Sequence, residues 1–230
     1  MKTLASDARR APLFAGLEEA ACEKILLAAR PQHAAPGEIL FRQGEPSQQI
    51  LLLVHGLIRM SQSVSREGQA TLRLMRAGEL IGCVAAIRGF PYPATATTLE
   101  ESRLLSWATS DFLELMKSQP ALAHNILTIV GDRTREMVEH IGDLSRKTIE
   151  ERLAAALLRL SRQAGVAIDG RTQIKASNAR EDLAALAGAG YFTISRTLSD
   201  WQKQGIIRNG RHRIIIIDES RLETIATGGA

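Results

Sequence analysis

At 230 residues, 45% of them hydrophobic and 23% charged, the chain is long enough for two ordinary cores, and its composition excludes both a disordered polymer and a membrane bundle. The formal net charge of +4 is unevenly spread: residues 1–150 hold 17 Lys+Arg against 17 Asp+Glu, whereas residues 151–230 hold 12 against 8. A negatively charged partner is therefore expected for the C-terminal third.

In chain order, Asp7, Arg9 and Arg10 arrive early and no long apolar segment precedes them, so no signal peptide is expected and the chain reads as cytoplasmic. Pro12-Leu13-Phe14-Ala15-Gly16-Leu17 leads into a predicted helix over Glu18–Ala29, with Ala21, Ile25 and Leu26 inward. From Ala35 to Trp107 the period falls toward two. Short β-type runs occur at Glu38–Phe41, Ile50–Ser61, Ala70–Met75, Leu80–Gly82 and Thr95–Leu105, with Gly37, Gly44, Gly56, Gly68, Gly78 and Gly82 at the corners. Many short strands with glycine corners predict an antiparallel barrel or roll. Its longest apolar run, Ile50–Ile58, is interrupted by His55 and Gly56 and is too short to span a bilayer, so no membrane partner is expected.

Thr109-Ser110-Asp111 is expected to cap a helix over Phe112–Lys117, and Pro120 opens a much longer helix reaching Ser145. Within it Leu127, Val130, Thr134, Met137, Ile141 and Leu144 are spaced 3, 4, 3, 4, 3. That heptad seam predicts a two-stranded coiled coil, and hence self-association. The competing reading is a helix packed on its own barrel, and Ile126, Ile129 and Val138 lie off the seam for that task. Thr134, the polar seam residue, either sets register or meets a ligand. Glu150–Gln163 forms another amphipathic helix, whose Leu153, Leu157, Leu158 and Leu160 begin a second core.

The stretch Arg180–Gln204 has the spacing of a helix-turn-helix. Leu183, Ala184 and Ala187 form the inner face of a short helix, Gly188 ends it, and the pattern restarts at Tyr191. Ile194, Leu198 and Trp201 make one apolar stripe, which leaves Tyr191, Phe192, Thr193, Ser195, Arg196 and Ser199 pointing elsewhere, the face that enters a DNA major groove in this motif. An inward packing of Tyr191 and Phe192 on the first helix is the alternative. Ile206-Ile207-Arg208 and Arg213–Ile217 read as the strands of a hairpin turning at Asn209-Gly210, with Arg208, Arg211, His212 and Arg213 at its tip. Between Arg171 and Arg213 stand eight basic residues against three acidic. Arg208, Arg211 and Arg213 are therefore candidate phosphate contacts, and Arg180 and Arg196 candidate DNA contacts.

A glycine-cornered β-roll, a dimerising helix and a C-terminal winged helix-turn-helix, in that order, resemble the Crp/Fnr family of bacterial transcription regulators. The resemblance covers nearly the whole chain. It rests on Pro12–Leu17, on Pro36-Gly37-Glu38-Ile39-Leu40-Phe41-Arg42-Gln43-Gly44, on Gly78-Glu79-Leu80-Ile81-Gly82, on Tyr92-Pro93-Ala94-Thr95-Ala96 and on Asp182–Leu198. It implies an α+β chain with a cyclic-nucleotide-binding-like antiparallel β-roll (jelly roll) over residues 1–118, a dimerisation helix over 119–148 and a winged helix-turn-helix over 149–230. It further implies a homodimer that binds double-stranded DNA at a palindromic operator, contacts RNA polymerase and answers to a signal sensed in the roll. The implied effector pocket is Gly78, Glu79, Gly82, Cys83, Tyr92 and Thr95, with Thr134 reaching it from the helix.

Two departures limit the resemblance. Cyclic-nucleotide-binding members hold the ribose with a Glu after the Gly-Glu corner and the phosphate with an Arg-Ser pair; here Cys83 and Tyr92-Pro93 stand near those places. A phosphate buried without a cation is costly, which argues against cyclic AMP. The Tyr92-Pro93-Ala94-Thr95-Ala96 run resembles the branches that answer to oxygen, nitric oxide or redox state, which implies a redox, gas or small-molecule effector. The N-terminal cysteine cluster of iron–sulfur members is also absent, since only Cys22 and Cys83 are present, which fits a reducing compartment and no disulfide framework. Cys83 is either a buried inert residue, a thiol sensor or a haem ligand. The second departure is at the reading head, where the family commonly places Arg and Glu and this chain has Tyr191 and Phe192.

An enzyme is not expected: the chain carries no phosphate loop, no His-Glu-x-x-His and no Gly-x-Ser-x-Gly, and its five histidines are scattered, so no metal site is expected either. The competing function is a ligand-binding or scaffolding module whose winged helix contacts protein, against which the basic face argues. A regulator that binds DNA with no effector is a third.

Overall fold

The computed structural model describes residues 2–65, 68–168, 171–175, 183–184, 186–210 and 213–229, apart from the side chains of 2–3, 64–65, 68–70, 140, 144–145, 163–164 and 175. The chain divides into two compact units, residues 1–63 with 75–137 and residues 64–74 with 138–230. The long helix crosses from one into the other and is not a unit by itself.

Two helices open the chain, α1 (Lys2–Ala8) and α2 (Glu19–Leu27), with a single 3-10 turn at Pro12–Phe14 between them. Eight strands follow: β1 (Arg30–Ala34), β2 (Ile39–Phe41), β3 (Gln49–His55), β4 (Leu57–Ser65), β5 (Gly68–Arg76), β6 (Leu80–Ile81), β7 (Thr95–Thr98) and β8 (Ser102–Ala108). A short helix, α3 (Cys83–Arg88), interrupts them. The strands form two four-stranded sheets, ordered β1-β8-β3-β6 and β2-β7-β4-β5. Their strands pair antiparallel, with Leu51 opposite Ser106 and Met60 opposite Ala96.

Strand β3 explains why one apolar run feeds two cores. Successive side chains of a strand point to opposite faces. Ile50 and Leu52 accordingly enter one cluster with Leu13, Ile25, Trp107 and Phe112, while Leu51 and Leu53 enter another with Phe41, Ile58, Tyr92 and Leu104. Trp107 anchors the first: its indole N–H donates to the Ile25 carbonyl at 2.8 Å, and Phe112 meets it edge to face at 5.5 Å.

Helix α4 (Thr109–Ser118) begins at the first residue of the expected cap, and its N-cap is Ala108. The Thr109 hydroxyl donates to the Ser47 carbonyl at 2.7 Å and is not a cap, which corrects the sequence expectation. Helix α5 (Pro120–Arg146) then runs unbroken. Its two faces differ. Leu122 and Ile126 are buried in the first core and Val130 packs against that core half-buried. Leu127 is 70% exposed and Ile141 56%, with Thr134 and Met137 exposed as well. The Leu144 side chain lies outside the described residues.

In the second unit α6 (Ile149–Ala164) starts in a capping box: the Thr148 hydroxyl accepts from the Glu151 N–H, and the Glu151 carboxylate accepts from the Thr148 N–H at 2.8 Å. A four-stranded antiparallel sheet is ordered β11-β12-β10-β9, from β9 (Gly165–Ile168), β10 (Arg171–Lys175), β11 (Ile207–Gly210) and β12 (Arg213–Ile216). Helices α7 (Tyr191–Lys203) and α8 (Glu219–Ala226) complete the unit.

Candidate nucleic-acid interface

The residues that build the interface come from two helical segments and the hairpin after them. Leu183, Ala184, Leu186 and Ala187 are helical and buried. Gly188 has φ +60°, and the Ala189 N–H reaches back to the Ala184 carbonyl at 3.0 Å, a Schellman ending. Helix α7 ends in the same way: Gly205 has φ +76°, and the Ile206 N–H donates to the Trp201 carbonyl at 2.9 Å. The turn between them is held by one side chain. The Arg152 guanidinium donates to the carbonyls of Ala187 at 2.7 Å, Gly188 at 3.4 Å and Lys147 at 2.8 Å. No sequence motif marked Arg152, because its bonds to Ala187 and Gly188 go to main-chain carbonyls 35 and 36 residues along the chain.

Helix α7 is sharply two-faced. Ile194, Leu198 and Trp201 are fully buried, and the Trp201 indole N–H donates to the Glu150 carboxylate at 2.9 Å. On the other side Phe192 is 86% exposed and Tyr191 43%, so the outward reading of the two rings holds and the inward alternative does not. The rings stand at 85° to one another with centroids 5.8 Å apart. Thr193 and Arg196 are exposed and Ser195 is half-buried. Gly190, the N-cap of α7, supplies no side-chain cap. Phe192, Thr193, Arg196, Thr197 and Asp200 line a groove of about 600 Å³.

The hairpin is tied to this helix. The Asn209 N–H donates to the Gln202 side-chain oxygen at 3.0 Å, and the Asn209 amide donates to the Leu198 carbonyl. Asn209 and Gly210 are strand residues, opposite Ile214 and Arg213, which corrects the expectation that they form the turn. A Cβ at Gly210 would stand 2.8 Å from the Arg213 side chain, which is exposed and can swing aside. Arg208 and Arg213 are exposed. Arg180 and Arg211 lie outside the described residues.

The roll gathers part of the expected effector pocket. Tyr92 is only 3% exposed and stacks on Phe41 with ring centroids 3.8 Å apart. Its hydroxyl donates to the Gln49 carbonyl at 2.7 Å and accepts from the Gln49 N–H at 3.1 Å. Burial pushes the phenol's pKa up. Gly82, at φ +80°, lies against it: a Cβ would be 3.0 Å from the ring and 3.2 Å from the Gln49 carbonyl. Cys83 begins α3 and is buried, and burial raises its pKa although Arg133 pulls the other way, so it stays a thiol. Glu79 accepts from the Arg76 N–H at 2.7 Å within the Gly78 corner, and Thr95 accepts from the Gln43 N–H at 3.0 Å. Thr134 is not gathered in. It faces outward, its hydroxyl bonded to the Val130 carbonyl, while its neighbour Arg133 reaches the Leu80 carbonyl at 2.6 Å. Among the described residues no cluster of His, Cys, Asp and Glu could hold a metal, and no helix is long and apolar enough to cross a membrane.

Comparison with known proteins agrees with both halves. Residues 31–119 match the cyclic nucleotide-binding domain family, and residues 151–225 match the Crp-like helix-turn-helix domain family. The cyclic AMP receptor protein of Thermus thermophilus is 30% identical over 94% of this chain and 97% of its own length. Electron transport regulator A of Shewanella oneidensis is 28% identical over 83% of this chain and 76% of its own. Among solved structures, FixK2 of Bradyrhizobium japonicum has the same fold, with a TM-score of 0.75 at 22% identity, covering 88% of this chain and 99% of that one.

Proposed function

The chain belongs to the Crp/Fnr family of transcription regulators, and from that premise we propose that it acts as a homodimer on a palindromic operator, switched by a redox, gas or small-molecule signal in the roll. The observation that carries the DNA reading is the division of α7. Its packed stripe is fully buried, while Phe192, Thr193 and Arg196 are exposed, with exposed Arg208 and Arg213 on the strands that follow. A helix with a free polar and basic face fits a major groove, and arginines beside it suit phosphates.

Dimerisation rests on the apolar seam. Leu127, Met137 and Ile141 are too exposed for their chemistry in a single chain, and a second α5 laid along them would bury all three. A change in the roll would then alter the seating of the paired helices and the match between the winged units and two half-sites about one DNA turn apart. RNA polymerase is the partner that such a regulator addresses once bound.

The residues present do not fit cyclic AMP, although the Thermus thermophilus relative is named for that ligand. Where the family resemblance places the phosphate's Arg-Ser pair, this chain has Tyr92, whose hydroxyl already serves both main-chain groups of Gln49. Where it places the ribose carboxylate, there is the buried Cys83 thiol. Neither supplies a cation or a free acceptor. Haem or thiol chemistry at Cys83 would first require that residue to be uncovered.

Selection of duplexes from a random pool, with and without air, tests the reading. A palindrome is expected, and its recovery only under one condition would identify a redox or gas signal. Replacing Leu127 and Ile141 by Asp is expected to abolish dimers and specific binding together; native affinity from a monomer would overturn the dimer route. Cyclic AMP is expected to leave operator affinity unchanged, and tighter binding in its presence would overturn that part.

A further inference from the structure

Phe192 stands 86% exposed in the first turn of α7, on the face away from Ile194, Leu198 and Trp201. An apolar ring so placed adds nothing to the unit's own core and is free to meet a bound partner. Three features narrow what meets it. Thr193, Thr197, Arg196, Asp200 and Glu150 line the same groove, and the exposed Arg196, Arg208 and Arg213 are the cations that would meet a polyanion. Tyr191 crosses Phe192 edge to face at 5.8 Å and 85°, which restricts the ring without covering it. The ring has no donor or acceptor, so it cannot distinguish bases through hydrogen bonds. On a major-groove floor the apolar group available to such a ring is the 5-methyl of thymine.

We propose that Phe192, steadied by Tyr191, is a specificity-determining residue that reads a thymine methyl, in a half-site whose guanine is read by Arg196. This rests on the operator-binding reading above. It gives the chain a half-site chosen in part by shape and apolar contact, where an Arg-Glu head would choose by hydrogen bonds. Tyr191 keeps the ring from turning along the helix, and its own hydroxyl remains available to phosphate or a base edge.

The experiment starts from the operator recovered with the full-length chain. Each thymine of one half-site is replaced in turn by deoxyuridine, which removes only the methyl, and affinity is measured for the native protein, Phe192→Ala and Phe192→Leu. One position is expected to lose about fourfold with the native chain, the value of one buried methyl. Phe192→Ala is expected to show no loss at that position, and Phe192→Leu an intermediate one. Because the side chain is exposed, all three should unfold at the same temperature, which separates lost contact from lost fold. If the native chain is indifferent to every uracil, or if Phe192→Ala weakens thymine and uracil duplexes equally, the ring packs on sugar and the assignment is overturned. If no sequence is enriched at all, the operator reading itself fails, and the Phe192 assignment fails with it.

Discussion

Two tyrosines in this chain have opposite fates, and both stand where the family resemblance would place an arginine. In the roll, Tyr92 is sealed against Phe41 and Gly82, with both functions of its hydroxyl taken by Gln49. On α7, Tyr191 and its neighbour Phe192 are exposed and meet each other edge to face. The backbone makes the difference. At Gly82 the left-handed turn and the missing Cβ leave a slot as wide as a ring, so an aromatic residue completes the interior. At the start of α7 the inward positions are already filled by Ile194, Leu198 and Trp201, so an aromatic residue can only wait for something to cover it. The first ring is part of the roll's packing; the second, on the proposed reading, offers an apolar contact where a charged pair would offer hydrogen bonds.

The largest test of this contrast is Tyr92→Ala, which empties the slot and strands the Gln49 groups; thermal unfolding should show a loss of about 3–5 kcal/mol. No measurable loss would mean that the ring fills nothing. On the other side, Arg196→Ala should cost about 1–3 kcal/mol on the cognate operator and relax preference at one base pair in a binding assay. An equal loss on every duplex would make Arg196 a phosphate contact. Tyr92→Phe keeps the stack and removes only the hydroxyl, so urea titration should report about 1–2 kcal/mol, from the Gln49 N–H and carbonyl left unsatisfied. Phe192→Ala should change stability by less than about 0.5 kcal/mol in the same titration. A larger drop would show that the ring packs inward after all, and the contrast would collapse.

The sequence shows the architecture where physics repeats itself along the chain. The 3.6-residue stripe of Ile194, Leu198 and Trp201 is buried as read, and the β-runs with glycine corners do form the roll. What escaped has no such signature. Strand β1 contains Pro31 and polar residues with only Ala34 buried, as suits an edge strand. Strand β9 is largely exposed, so it shows no alternation. Helix α3 is only six residues, five of them apolar, between left-handed Gly82 and Gly89, too short to display a period. The Asn-Gly signal misled because register across β11 and β12 places Gly210 opposite Arg213, inside the ladder. The outward direction of Phe192 was legible from spacing. The sealing of Tyr92 was not, since it depends on Phe41 and Gln49, more than forty residues away in sequence.

Arg152 grips the turn before α7 and the end of the α5–α6 connection through three carbonyl oxygens. A carbonyl has no identity to lose when a residue is exchanged, because every residue carries the same one. The mounting of the reading head is therefore indifferent to which side chains the head displays. Tyr191 and Phe192 could replace a charged pair, and other pairs could replace them, without loosening the bracket. Target preference in this protein can drift quickly while its fold stands still.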